Sequence, residues 1–156
     1  MSLNHKLNEI YLLSSPETLA ILARNDKWRT RLQVAANSNT PIESLALLAK
    51  DKNSTVRWEV AKNPNTSPET LALLEKDEDG AVRYEVAENP NTSPQTLALF
   101  AKDEDWSLRY EIAINPNTSL ETLVLLANDE DSYVSRMTLD NPNLPNEYKM
   151  LYLLEK

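Results

Sequence analysis

The tripeptide Asn-Pro-Asn occurs four times in this chain, and each copy begins 26 residues after the one before it. A fixed period of roughly 20 to 50 residues is the signature of repeat architectures, in which each unit buries its apolar face only against its neighbours. The copies begin at Asn63, Asn89, Asn115 and Asn141, and Asn37-Ser38-Asn39 falls in the same register. The spacing therefore constrains the fold to a stack of similar units.

The repeat predicts a single domain of five units with a cap at each end. The predicted units are 11–36, 37–62, 63–88, 89–114 and 115–140, with an N-terminal cap at 1–10 and a C-terminal cap helix at 141–156. Apolar columns support this register, as in Leu19, Leu45, Leu71, Leu97 and Leu123. Both ends depart from the repeat, as terminal caps do, so we expect a closed stack and not a fragment of a longer solenoid.

Each unit is predicted to begin with a short helix. Thr66 is followed three residues later by Glu69, the pattern of a capping box, and Pro68 falls in the first turn, where no amide proton is needed. Leu71 and Leu74 then share one face of the helix. The hydroxyl residues predicted as N-caps are Ser14, Thr40, Thr66, Thr92 and Thr118.

A second helix is predicted from Ala81 to Glu88, with Val82 and Val86 on one face. Acidic residues in the preceding turn suit the helix N-terminus. The following Asn-Pro-Asn ends the helix, because a residue before proline is disfavoured in the α region. Isolated helices shorter than about 12–15 residues are marginal in water, so each unit needs its neighbours to fold.

The unit resembles that of the leucine-rich repeat variant family. The resemblance is carried by Asn-Pro-Asn-Thr-Ser-Pro-Glu-Thr-Leu-Ala-Leu-Leu at 63–74, an Asp-x-Asp turn, and Val-Arg-x-x-Val-Ala at 82–87, and it covers residues 11–154. It implies a right-handed superhelix of alternating α- and 3₁₀-helices without a sheet, so the second helix is expected to be partly 3₁₀. The Asp-x-x-x-x-Val-Arg pattern is similar, more loosely, to HEAT-like repeats, including those of bilin lyases. Either resemblance implies an all-α solenoid.

The residue inventory excludes most cofactor chemistry. Members of the family can carry a cysteine-ligated iron–sulfur module ahead of the repeats, but this chain has no cysteine. Thiolate catalysis and cysteine-ligated zinc are excluded for the same reason. The only histidine is His5 and the only glycine is Gly80, so a histidine-based triad and a glycine-rich phosphate loop have no residues to build on. We expect no cofactor, no metal site and no enzymatic activity.

Charge and hydropathy limit the expected partners and location. The formal net charge is -8. A surface of this sign repels phosphate backbones, so nucleic-acid binding is not expected. No stretch approaches the roughly 20 apolar residues of a membrane helix, and the first ten residues lack the apolar core of a signal peptide. We expect a cytoplasmic monomer that does not contact a membrane.

The candidate partner-binding residues lie in two adjacent columns of the second helix. At about 100° per residue, the aromatic column lies roughly 160° from the Val86 column, so we expect its rings to point away from the interior. Exposed rings and carboxylates in register can hold a basic peptide through apolar contact, cation–π contact and ion pairs. The alternative is that the rings pack laterally on neighbouring repeats. The six candidates are Trp58, Tyr84, Tyr110, Glu59, Glu85 and Glu111.

Other repeated polar columns are interpreted as structural. The acidic turns, such as Asp77-Glu78-Asp79, are expected to cap helices, since calcium needs about six to eight oxygen ligands. The Asn-Pro-Asn column is expected to form an internal hydrogen-bond ladder. Trp28 and Trp106 share a turn position, where we expect exposure. An arginine column is expected to pair with the acidic turn or with carbonyls of an adjacent unit: Arg31, Arg57, Arg83 and Arg109.

The leading functional hypothesis is a non-catalytic protein- or peptide-binding repeat scaffold, whose acidity favours a basic partner. An enzyme would need a non-repeated set of acid, base and nucleophile, whereas here each polar residue recurs in register. Two alternatives stay open. One is a structural spacer or accessory subunit with no ligand of its own, and the other is a HEAT-like accessory of an enzyme complex.

Overall fold

The computed structural model describes residues 15–154, except for the side chains of residues 151–153. Over that span the regular secondary structure consists of α-helices joined by short turns, with no strand. The helices are α1 Pro16–Leu22, α2 Trp28–Ala35, α3 Ile42–Leu48, α4 Ser54–Lys62, α5 Pro68–Leu74, α6 Gly80–Glu88, α7 Pro94–Phe100, α8 Trp106–Ile114, α9 Leu120–Ala127, α10 Ser132–Asp140 and α11 Asn146–Leu154. The predicted all-α repeat stack is confirmed.

In four units the N-cap of the first helix is a serine, one residue later than the predicted cap. The Oγ of Ser67 accepts a hydrogen bond from the backbone N–H of Thr70, and Pro68 occupies the first helical position. The predicted capping box on the threonines is therefore wrong, and Ser14 lies outside the described residues. Pro41 takes the cap position of α3 without a side-chain bond. The serine caps are Ser15, Ser67, Ser93 and Ser119.

The threonine before each cap position has a different role. Thr66 is buried, and its hydroxyl donates to the carbonyl of Val60 at 2.5 Å. Val60 lies in the last turn of α4, and its carbonyl also accepts from the N–H of the C-cap residue Asn63 at 3.2 Å. This hydroxyl ties the second helix of one unit to the start of the next, which is why it does not serve as a cap. The equivalent bonds are Thr40 to Val34, Thr92 to Val86, and Thr118 to Ile112.

Four of the described second helices are capped by a side chain of the polar turn, as predicted, whereas α2 has Lys27 at the cap position without a side-chain bond. The Asp79 carboxylate accepts from the N–H of Ala81 at the start of α6, and Asn53, Asp105 and Asp131 do the same for α4, α8 and α10. The described helices are all α-helical, so the expected 3₁₀ character is wrong. Helix α6 has nine residues, enough for two turns, and its i→i−4 pattern continues into the bond from Asn89 N–H to the Glu85 carbonyl.

The core runs along the stack between the two layers of helices. Leu71 and Leu74 of α5 and Val82 and Val86 of α6 are almost completely buried. The second helices of neighbouring units lie directly against one another, with α6 between α4 and α8, and each first helix packs on second helices. Removing a leucine side chain from water contributes about 1.5–3 kcal/mol. Each unit therefore depends on its neighbours for most of its core.

The predicted asparagine ladder is confirmed. The Nδ2 of Asn89 donates to the carbonyl of Ala61 at 2.6 Å and to that of Asn63 at 3.2 Å, while its Oδ1 accepts from the N–H of Asn91 at 2.9 Å. The Nδ2 of Asn91 reaches the Pro64 carbonyl at 2.6 Å. These bonds tie each Asn-Pro-Asn turn to the previous one. The first asparagine repeats this role at Asn63, Asn115 and Asn141.

The arginine column also pairs as predicted, with one exception. Arg57 binds both oxygens of Asp77, at 2.6 and 2.8 Å, and its Nη1 donates to the carbonyl of Asp51 at 2.8 Å. Arg31 pairs in the same way with Asp51, and Arg109 pairs with Asp129. Arg83 keeps the carbonyl bond, to Asp77, at 2.9 Å, but no carboxylate of the described residues pairs with it.

Over residues 15–154, no helix is both long enough and apolar enough to cross a membrane. The prediction of an N-terminal cap at 1–10, with His5, lies outside the described residues, as do the last two residues of the predicted C-terminal cap. The predicted domain limits stay a prediction.

Candidate functional site

The predicted aromatic column lies against the core and does not point away from it. Trp58, Tyr84 and Tyr110 are half-buried and pack on the core cluster. The expected outward orientation is therefore wrong. Each inner second helix lies between the second helices of two neighbouring units, so a ring on its flank meets the next helix before it reaches solvent. Lateral packing, the alternative interpretation, describes these three rings.

Tyr84 is fixed by the glutamate column of the next unit. Its hydroxyl donates to Oε1 of Glu111 at 2.6 Å, and Glu111 is buried with only 8% of its surface exposed. This hydrogen bond, with burial and the charge of Glu111, raises the pKa of Tyr84 to about 12. The phenol therefore keeps its proton and donates to the carboxylate. A carboxylate is held at this position by a charge-assisted hydrogen bond between adjacent units.

Trp58 makes a cation–π contact with a lysine of the same chain. The Nζ of Lys62, one turn further along α4, lies 4.6 Å from the Trp58 ring centroid, within cation–π distance. Lys62 also lines a small recess with Glu85 and Glu88. Burial and the charge of Glu88 raise the pKa of Glu85, and Lys62 opposes this rise. Ring, ammonium and carboxylates are thus gathered between two adjacent units.

A second group of rings surrounds a cleft of about 270 Å³ on the C-terminal half of the stack. The ring centroids of Trp106 and Tyr133 are 6.2 Å apart, with their planes inclined by 35°. Trp106 is 49% exposed and Tyr133 is 67% exposed, so both rings are open to solvent. We call this site the aromatic cleft; its lining residues are Tyr84, Trp106, Ser107, Tyr110, Glu111 and Tyr133.

The aromatic cleft gathers half of the predicted candidates. Tyr84, Tyr110 and Glu111 line it. Trp58 instead contacts Lys62, Glu85 lines the neighbouring recess with Lys62, and Glu59 lines neither place. Whether any of the six residues binds a partner stays a prediction.

Sequence reasoning did not assign Trp106 and Tyr133 to the site. The predicted exposure of Trp106 is confirmed, and Tyr110 lies four residues after it on the same helix. The signal was present, because residues four apart on a helix share a face. Tyr133 reaches the cleft from α10, in the following unit, and occurs only once in its column. Only the stacking of α8 on α10 reveals that contact.

An exposed aliphatic column on the first helices was also missed. It repeats every 26 residues but lies beside the buried Leu71 and Leu74 columns. A recess of about 480 Å³ borders this column, where Arg83, Lys76, Glu75 and Asp103 bring both signs of charge together. Such a mixture selects no class of ligand. The column consists of Ile21, Leu47, Leu73, Leu99 and Leu125.

Metal chemistry finds no support in the part of the chain that the structure describes. No group of three or more histidine, cysteine, aspartate or glutamate side chains there is arranged to hold a metal ion. The acidic turns are occupied as helix caps and as partners of the arginines, with Asp77 bound by Arg57 and Asp129 by Arg109.

These features define the class of protein: an α-helical repeat solenoid whose units are joined by buried asparagine, arginine and threonine bonds. Its structure is similar to that of a leucine-rich repeat variant described as having a novel repetitive protein structural motif, with a TM-score of 0.65 and 26% sequence identity. The similarity covers 89% of this chain and 55% of the other, so this chain spans about half the length of the protein it matches. A scan against protein-family models and a search of curated proteins give no match. The resemblance predicted from the sequence is confirmed.

Proposed function

We propose that this chain is a non-catalytic repeat scaffold that binds a basic segment of another protein. The observation that carries the proposal is the aromatic cleft, in which two solvent-exposed rings stand beside a buried carboxylate, that of Glu111. Aromatic residues that are held rigidly and left open to solvent are typical of interface anchors. The repeat fold, which is commonly a binding scaffold, supports the same function.

The charge of the chain favours a basic partner. A net charge of -8 attracts cationic segments over distances of about a Debye length and repels nucleic acid. Near the cleft, Asp105 and Asp131 cap the two helices that carry Trp106 and Tyr133. The negative field is therefore present where the rings are exposed.

The test is a selection of short random peptides on immobilised protein at low and at raised salt. We expect the selected peptides to be rich in lysine and arginine and to lose affinity as salt rises. The double variant Trp106→Ala/Tyr133→Ala should lose most of this binding, because it removes the exposed rings and leaves the core untouched.

The matched control is Trp28→Ala, which removes an exposed tryptophan from the same column in another unit. Its binding should equal that of the unmodified chain, and circular dichroism should show that both variants are folded. Selection of acidic peptides would contradict the proposed basic partner. Failure to select any peptide would favour the structural spacer.

A further inference from the structure

We propose that the aromatic cleft holds the ammonium group of a lysine side chain from the partner, with an affinity that rises as the nitrogen is methylated. This inference rests on the proposed binding function and names the chemical group that the cleft recognises. It depends on three observations: a cation of the chain on an equivalent ring, the lack of such a cation at the cleft, and the chemistry of the lining.

The first observation is the lysine that the chain places on Trp58. The Nζ of Lys62 lies 4.6 Å from that ring centroid and lines a recess with Glu85 of the next unit. Trp58 belongs to the same column as Tyr84 and Tyr110, and Glu85 to the same column as Glu111. The chain thus shows that a ring of this column, with a glutamate of the next unit close by, accommodates a lysine ammonium.

The second observation is that the cleft lacks this cation. The residue four positions after the ring is Lys62 in one unit, but Glu88 follows Tyr84 and Ile114 follows Tyr110. In the part of the chain that the structure describes, cation–π contacts occur at Trp28 and Trp58 and not at the rings of the cleft. The cleft thus has the rings and the carboxylate, but it lacks the ammonium that Lys62 provides at Trp58, one unit earlier.

The third observation is the chemistry of the lining. Four of the six lining residues are aromatic, and the carboxylate oxygen Oε1 of Glu111 already accepts from Tyr84. The hydroxyl of Ser107 is engaged with Asp105 at 2.7 Å. An unmodified ammonium has three N–H groups that need acceptors, whereas each methyl group replaces one N–H and spreads the charge over apolar surface. A site lined mainly by rings, with one carboxylate, therefore favours the methylated forms.

The experiment measures binding of four probes by titration calorimetry. Three are copies of one short basic peptide whose central residue is lysine, trimethyllysine, or a neutral analogue with carbon in place of the ammonium nitrogen. The fourth is free tetramethylammonium. We expect the trimethylated peptide to bind roughly five- to thirty-fold more tightly than the neutral analogue, with the unmodified peptide between them.

Variants locate the effect. Trp106→Ala/Tyr133→Ala should abolish the preference for trimethyllysine, and Trp28→Ala should keep it. Glu111→Gln retains an acceptor for the Tyr84 hydroxyl but removes the charge. This variant should lower the affinity for the trimethylated peptide several-fold and leave the affinity for the neutral analogue unchanged. Tyr84→Phe keeps the ring but removes the hydrogen bond to Glu111. A double-mutant cycle of Tyr84→Phe with Glu111→Gln shows whether the loss of peptide binding arises from the charge in the cleft or from the broken bond between units.

The outcomes separate this inference from the proposed function. Equal binding of the neutral analogue would overturn cation recognition and leave a merely apolar cleft. Basic peptides that bind equally to Trp106→Ala/Tyr133→Ala would overturn the cleft as the site, while the scaffold function would stand. Binding of tetramethylammonium but of no peptide would overturn the lysine as the source of the cation. If no probe binds, this inference fails, and the peptide selection decides the proposed function separately.

Discussion

Replacing Asn89 by alanine tests how the units are joined. Its buried side chain makes three hydrogen bonds, two through Nδ2 to the carbonyls of Ala61 and Asn63 and one through Oδ1 from the N–H of Asn91. A typical hydrogen bond contributes about 0.5–1.5 kcal/mol net, and a buried group left unsatisfied costs about 1–3 kcal/mol. We expect Asn89→Ala to lower the free energy of unfolding by about 2–4 kcal/mol.

Urea unfolding followed by circular dichroism measures this loss, and thermal unfolding should show a midpoint lower by roughly 5–15 °C. The matched control is Asn128→Ala, which removes an exposed asparagine whose Nδ2 bonds only the Val124 carbonyl of its own helix. That variant should stay within about 0.5 kcal/mol of the unmodified chain. If the two variants unfold alike, the ladder does not hold the units together.

Three further changes are expected to alter stability. Leu71→Ala should lower the free energy of unfolding by about 2–5 kcal/mol in urea titrations, because it opens a cavity in the core. Gly80→Ala should raise it by about 0.4–1 kcal/mol, since the added methyl meets only Arg83 at an ordinary 3.7 Å and the chain loses freedom when unfolded. The hydrogen bond from Arg109 holds the pKa of Asp129 below its ordinary value. The stability from this pair is therefore present above the unfolded pKa and lost as pH falls through the lower folded pKa, and Asp129→Asn should flatten that acid dependence.

Each of these has its own control. Leu73→Ala removes an exposed leucine from the same helix and should have little effect, so equal losses at Leu71 and Leu73 would mean that the buried face is wrongly assigned. A destabilising Gly80→Ala would show that the start of α6 needs glycine. For Asp129, an unchanged slope of unfolding free energy against pH between neutral and acid would contradict the assigned ion pair.

The repeat made most of the fold predictable. Equivalent positions in the five units share one environment. Leu71 could therefore be assigned to the core from the apolar residues at the equivalent positions as well as from its own neighbours. The roles of the polar columns followed because a buried asparagine or arginine that recurs in every unit must find its partner at the same relative position. The N-caps were misassigned by one residue because Thr66 and Ser67 both carry hydroxyl groups, and only the stacked structure shows which one faces the Val60 carbonyl.

The aromatic cleft was harder to predict, because it breaks the repeat. Trp106 and Tyr133 each depart from most of their own column, and they meet only because α10 lies beside α8. Helical periodicity describes one helix at a time, so it placed Tyr84 opposite the core when the neighbouring second helix in fact covers part of that side. A pattern within one element does not report contacts between elements.

The asparagine ladder also bears on how such a chain can change in length. Each turn donates to the turn 26 residues before it and accepts in the same way from the turn 26 residues after it. A whole cassette of that length, duplicated in frame at the junction of residues 88 and 89, would therefore bring its own donors and meet matching acceptors on both sides. A duplication that is not a whole number of 26-residue units would leave buried amide and carbonyl groups unpaired at the new junction. The bonding pattern thus favours changes of length in whole units.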